Sequence, residues 1–198
     1  MTPDLFLALA GFALVTVITP GPNNLMLMTS GANFGFRRSI PHMLGVGLGF
    51  PMMIVPVGLG VMQVFDLWPI SYTILKVLSV LYMLYLAWHI ANAAPPDGAP
   101  KAGSKPFTFL QAAAFQWVNP KAWSMALGAI TLYATGRDLT AVLWVACTYV
   151  AMGCISTTSW TVLGQQLRRI LNRPNRLRLF NWAMAALLVA SLVPVIWT

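Results

Sequence analysis

The chain has no glutamate and four aspartates in 198 residues, and only 8% of its residues are charged. A soluble domain carries roughly 25%. With so few charges no water-facing surface of ordinary composition can be built, and the 58% of hydrophobic residues must face lipid. Two histidines and two cysteines leave no ligand cluster for a metal and no paired nucleophile and base. An enzyme is therefore not expected, nor any cofactor or metal site. Cys147 and Cys154 are seven residues apart in one apolar run, about 10 Å along a helix axis. That is too far for a disulfide, and both read as small packing residues. The first apolar run has no basic n-region and no small-residue cleavage site, so it is expected to persist in the mature protein.

What is present is apolar and long. Six runs, at about 5–28, 43–65, 70–92, 107–134, 139–163 and 179–197, each approach or exceed the ~20 residues that cross a bilayer as a helix. They are too long and too continuous for the alternating strands of a barrel. Charged or turn-rich breaks separate them at Phe34–Pro41, Asp66–Pro69, Ala93–Pro106, Thr135–Asp138 and Gln165–Arg178. The expected fold is all-α, a polytopic membrane protein forming one transmembrane domain over 1–198.

The net charge of +8 comes from 12 Lys and Arg. No basic stripe interleaved with aromatics accompanies it, so nucleic acid is rejected as a partner. Nine of the twelve lie in the first, third and fifth loops: Arg37 and Arg38; Lys101 and Lys105; Arg168, Arg169, Arg173, Arg176 and Arg178. By the positive-inside rule those loops face the cytoplasm and both termini face outward. Arg137 stands alone on the other side. The fifth loop is read first as a topology determinant and secondly as a grip for anionic lipid headgroups. Lys76 and Lys121 fall inside spans, where topology does not explain them. Lys76 lies about two turns into its span and can snorkel outward.

Six spans divide into halves of three, about 1–92 and 107–198, joined by a cytoplasmic linker at about 93–106. An odd number per half makes the halves an inverted repeat, with spans 1 and 4 as counterparts. Both are interrupted: span 1 by Thr19-Pro20-Gly21-Pro22-Asn23-Asn24, span 4 by Asn119-Pro120-Lys121. Proline removes a backbone donor and clashes with the preceding turn, and glycine loosens the chain beside it. The carbonyls and amides so freed must find partners or line a wet cavity. Matching breaks in two halves point to a transporter's site, whereas Pro51, Pro56 and Pro194 read as ordinary kinks. Lys121, deep in span 4, costs roughly 2.5–3.5 kcal/mol on insertion scales and needs a partner. With no mid-membrane carboxylate available, a substrate anion is the expected one. The candidate substrate-binding set is Pro20, Gly21, Pro22, Asn23, Asn24, Asn119, Pro120 and Lys121. Helices restarting near Asn23 and Lys121 would aim positive dipole ends at a carboxylate. The carbonyls around Pro20 and Pro22 would take an ammonium. Lys121 is also the candidate proton-coupling group, since desolvation disfavours a charged amine. His42 and His89 sit near span ends and are too peripheral. Gly31/Gly35 and Gly45/Gly49 are small-xxx-small pairs suited to tight packing, and a homo-oligomer stays open. Ser156, Thr157, Thr158 and Ser159 are read as bonding helix backbones.

Several of these pieces also form an ordered set. It comprises Thr19-Pro20-Gly21-Pro22-Asn23; Phe34-Gly35-Phe36-Arg37 leading to Gly45-Val46-Gly47-Leu48-Gly49; Leu75-Lys76 and Tyr82-Met83-Leu84-Tyr85-Leu86-Ala87-Trp88; and Phe115-Gln116-Trp117-Val118-Asn119-Pro120-Lys121. Over nearly its whole length the chain resembles the LysE/RhtB family of bacterial amino-acid exporters. Pro22-Asn23-Asn24, Gly35-Phe36-Arg37, Leu86-Ala87-Trp88 and Phe115–Asn119 look most like its cysteine/O-acetylserine exporter branch. One departure is Ser79, where that family usually has glycine. The resemblance implies secondary efflux of an amino acid or small derivative across the bacterial inner membrane. The residues alone reach only a transporter with a midplane site, and a passive channel or a subunit of a larger complex remains the alternative.

Overall fold

A computed structural model describes residues 2–61, 63, 67–93, 105–134, 138–171 and 173–193. Asp66, Asp97, Lys101, Arg137, Pro194 and most of the expected 93–106 linker lie outside the described residues. Among the described residues there are eight α-helices and no strand: α1 (Pro3–Ile18), α2 (Pro22–Phe34), α3 (Phe36–Gly58), α4 (Ile70–Ala91), α5 (Phe109–Val118), α6 (Pro120–Tyr133), α7 (Leu139–Leu167) and α8 (Pro174–Ala190).

Proline places four of the starts. Pro3, Pro22, Pro120 and Pro174 each occupy the first turn of their helix, where the missing N–H costs nothing. Span 1 thus resolves into α1 and α2, bent by 59° at the break. Span 4 resolves into α5 and α6, separated by Asn119 alone. Two expected breaks are narrower than the sequence suggested. The Phe34–Pro41 loop reduces to Gly35, whose φ of 78° makes the turn, and α3 begins at Phe36 with Pro41 inside it. Likewise α7 runs to Leu167 and α8 starts at Pro174.

By length and apolarity α3, α4 and α7 can each cross a membrane, and the bent pair α1–α2 is a fourth candidate. At 10, 14 and 17 residues, α5, α6 and α8 individually fall short of the ~20 that a crossing takes. The outer surface is apolar, with Leu7, Val15, Met52, Trp88, Leu110, Leu179 and Trp182 exposed. Such a surface belongs in lipid. Cys147 and Cys154 are free and exposed on it, not packed inside as expected. Lipid is as apolar as a helix interface, so an apolar residue is at home on either face.

Inside, α7 packs against α1, α2 and α3, while α3 also packs on α5 and α4 on α8. One core joins Leu9, Phe50, Met53, Ala122, Ala126, Val142 and Tyr149; another joins Met26, Met83, Leu86, Phe115 and Leu188. Small residues set the closest approaches. A Cβ on Gly31 would strike the α7 backbone at Thr161, and one on Gly164 the α2 backbone at Met28. Gly45 and Gly49 meet α5 in the same way. Buried amide pairs lock the assembly further. Asn33 Nδ2 donates to Asn181 Oδ1 at 2.8 Å and Asn181 Nδ2 to Asn33 Oδ1 at 3.0 Å, tying α2 to α8. Ser79 is buried and turns its hydroxyl back onto the Leu75 carbonyl at 2.7 Å, so this polar residue is satisfied within α4.

Candidate functional site

The break in span 1 leaves the last carbonyls of α1 without helical partners, and side chains from three other helices hold them. Val17 O accepts from Asn24 Nδ2 (2.8 Å) and from Ser156 Oγ (2.7 Å). Ile18 O accepts from the Trp160 indole (3.1 Å). Thr19 O accepts from Asn24 Nδ2 (2.8 Å) and from Lys121 Nζ (2.7 Å). The same ammonium donates to Thr19 Oγ1 (2.9 Å) and Pro20 O (3.4 Å). Lys121 therefore caps the negative end of α1, as a cation at a helix C-terminus should. The partner expected for this lysine is a substrate anion; within the chain it bonds carbonyls and a hydroxyl.

Gly21 makes that reach possible. A Cβ there would lie 2.8 Å from Lys121 Cδ and 3.1 Å from Nζ. Gly21 is also the N-cap of α2, which has no side-chain cap, so amides at the start of α2 stand directly beside the carbonyl end of α1. At the second break Asn119 caps α6, its Oδ1 accepting from Lys121 N at 3.1 Å. The Trp123 indole donates to Trp117 O at 2.8 Å, across the interruption between α5 and α6. Both breaks thus use a tryptophan indole to hold a freed carbonyl.

A small cavity of about 40 Å³ lies against the two breaks. That is room for a few waters at roughly 10–15 Å³ each, and too little for an amino acid. Gly21, Asn23, Asn24, Asn119 and Lys121 line it; Pro20, Pro22 and Pro120 do not. Proline shapes the breaks and leaves the lining to its neighbours. The amides are already engaged: Asn23 and Gln116 exchange bonds of 2.8 and 3.1 Å, and Asn24 is spent on α1. The opposite wall comes from residues outside the candidate substrate-binding set. Thr16 and Tyr149 join hydroxyls at 3.1 Å, and Gly47 of α3 faces Gly153 of α7, with only 3.7 Å available to a Cβ. Ser156 does bond backbone as expected, but that of α1, not of its own helix.

The other sequence candidates lie elsewhere. Lys76 is half-buried on α4. His42 is fully buried, with no partner on either ring nitrogen, 5.2 Å edge-on from Phe107. It sits in the second turn of α3, near the helix end, and is packed inside the protein. Phe107 in turn lies 4.8 Å from His89. Among the described residues no group of His, Cys, Asp and Glu is arranged to hold a metal.

Broken helices, a lysine spanning them and a lipid-facing exterior make a translocation site the natural comparison. The LysE-type translocator family matches residues 14–192. The chain belongs to that family. Among curated relatives, a cysteine/O-acetylserine efflux protein of Escherichia coli (strain K12) is 30% identical over 202 residues, covering 100% of both chains. One of the same description from Klebsiella pneumoniae is 28% identical over 198 residues, covering 99% of each. No solved structure matches the chain. As a member of this family the chain is a membrane translocator.

Proposed function

We propose that this translocator exports amino acids or small amino-acid derivatives, cysteine and O-acetylserine among them, from the bacterial cytoplasm across the inner membrane by proton antiport. The relatives' efflux activity and their full-length match support the substrate class. The observation that carries the mechanism is Lys121 seated on the Thr19 and Pro20 carbonyls.

A zwitterion presents a cation and an anion a few ångströms apart. The break presents the complement: carbonyls at the end of α1 and amides at the start of α2. On this reading the substrate's ammonium takes the carbonyls that Lys121 now occupies, and its carboxylate takes the amide end. The substrate's ammonium and the protonated lysine compete for one cradle. Entry of the first releases the second, which gives its proton to the cytoplasm; outside, the substrate leaves as the amine regains a proton. Gly21, Asn23, Asn24, Asn119 and Lys121 line the site, while Pro20, Pro22 and Pro120 hold its breaks open. With room for only about 40 Å³ against the breaks, the described form has no space for a solute, and on this reading α3 and α7 part at Gly47 and Gly153 to admit one.

We read the whole as six crossings in an inverted three-plus-three repeat, halves about 1–92 and 107–198, with both termini outside. Supporting this, the counterpart helices α3 and α7 pack on one another, as do α4 and α8. The test is efflux of labelled cysteine and O-acetylserine from proteoliposomes under an imposed pH gradient at zero membrane potential. Acceleration by the gradient is expected. Saturable transport indifferent to it removes the antiport, and no transport of any amino acid removes the whole reading.

A further inference from the structure

A second concavity, of about 690 Å³ and open, lies far from the breaks where the Gly35 turn meets the end of α7. Four arginines line it: Arg37 and Arg38 from the start of α3, Arg168 and Arg169 from just beyond α7. The positive-inside rule asks only for a count of basic residues in a loop. It does not require two loops distant in sequence to bring their guanidiniums to one recess. Here they converge, and the recess is braced. Gln165 Oε1 accepts from Phe36 N at 2.8 Å, holding the two loops together. Arg38 lies over the Phe34 ring, 5.4 Å from its centroid, which fixes its direction. Gly35, at φ 78°, leaves only 3.7 Å between a would-be Cβ and Arg168 Nη1. Charge in the recess is of one sign. Of the described carboxylates, Asp138 caps the opposite end of α7, about 44 Å of helix away, and Asp4 opens α1.

We infer that Arg37, Arg38, Arg168 and Arg169 form a binding site for the phosphate of an anionic phospholipid. Guanidinium forks match phosphate oxygens in pairs. The depth is right for a lipid source: α7 has 29 residues, about 44 Å, which matches a bilayer measured with its headgroups at ~40–45 Å. Its end therefore emerges at headgroup level. Val162, exposed, lines the recess together with Phe34 and Phe36 and gives acyl chains an apolar wall. The inference needs the chain to be membrane-embedded but not to carry any particular substrate.

The test is native mass spectrometry of the full chain in detergent, titrated with phosphatidylglycerol or phosphatidylcholine. Wild type is expected to retain the anionic lipid selectively. Arg37→Gln with Arg168→Gln should bind it about thirtyfold more weakly, at roughly fivefold per basic residue near an anionic surface. Arg37→Lys with Arg168→Lys, which keeps the charge and loses the forks, should fall between and guards against a misfolded variant. Arg173→Gln with Arg176→Gln removes equal charge outside the recess and should bind within threefold of wild type. Equal loss in both Gln pairs, or no preference for phosphatidylglycerol, overturns the site. Displacement of the lipid by inorganic phosphate at matched concentration overturns the lipid as its ligand.

Discussion

Replacing Lys121 by methionine removes the only cation at the break among the described residues while keeping most of the side-chain volume. Three contacts go, at 2.7, 2.9 and 3.4 Å. A hydrogen bond to a charged group contributes roughly 1.5–3 kcal/mol where it is buried. Lys121 is half-buried, and Thr19 and Pro20 are exposed, so water replaces much of what is lost. Thr19 O also keeps its bond from Asn24. We expect a stability cost of about 1 kcal/mol and a folded, inserted protein. Transport should suffer far more. If the empty carrier must return with a protonated amine on the carbonyls, its removal costs the whole of that step. Net efflux should fall at least about 100-fold, equivalent to roughly 2.7 kcal/mol of lost stabilisation. Exchange of internal for external substrate, which needs no empty return, should fall less. The assay measures both modes in the same proteoliposomes, with insertion checked by protease protection. Net efflux near the wild-type rate would refute the role of Lys121. An equal fall in both modes would make it a substrate anchor and not a proton carrier.

Other expectations follow from the same geometry. Gly21→Ala puts a methyl 2.8 Å from Lys121 Cδ, so the lysine must swing aside; efflux should drop about tenfold with unchanged expression, measured as a raised half-saturation concentration. Ser156→Ala removes one of two donors to Val17 O and should lower thermal stability by about 1 kcal/mol without abolishing efflux. Gly164→Leu forces bulk into the α2 backbone, and no folded protein should be recovered by size-exclusion chromatography. Reporter fusions after Ala99 and at the C-terminus should report opposite sides of the membrane; the same side would end the inverted arrangement.

The breaks were legible in sequence because proline has few places to sit. Thr19-Pro20-Gly21-Pro22 and Asn119-Pro120 combine proline with glycine or asparagine, which favours ending one helix and beginning another over a kink, and α2 and α6 start at Pro22 and Pro120. Pro41 misled for the complementary reason. It reads as part of a loop but lies inside a helix that begins at Phe36, and the burial of His42 beside it cannot be read from its place near a span end. The faces of α7 were not legible at all. Cys147 and Cys154 face outward while Tyr149, Gly153 and Ser156 face in, and apolar periodicity cannot rank them when lipid lies on one side. Nor does sequence say which side chain holds which carbonyl. Ser156 and Trp160 lie 139 and 142 residues from the atoms they bond, and serine in an apolar helix ordinarily bonds its own helix.

That capping network bears on selectivity. Every carbonyl from Val17 to Pro20 is bonded by a side chain from α2, α6 or α7, so the break cannot open without trading hydrogen bonds. An unmet buried polar group costs about 1–3 kcal/mol, a penalty that falls on the part-buried Val17 and Ile18 carbonyls and much less on those of the exposed Thr19 and Pro20. A free amino acid brings an ammonium for the carbonyls and a carboxylate for the amides, and replaces both sets at once. An amine without the acid, or an acid without the amine, leaves one helix end unmet and should be rejected by roughly ten- to a hundredfold on that ground alone. Blocking either end of the zwitterion while leaving its side chain intact should therefore cost more transport than changing the side chain itself, because the cavity lining beyond the breaks combines small and apolar groups such as Gly47, Gly153, Phe50 and Ala122 with hydroxyls of Thr16, Tyr149, Ser156 and Thr157 that already hold partners within the protein.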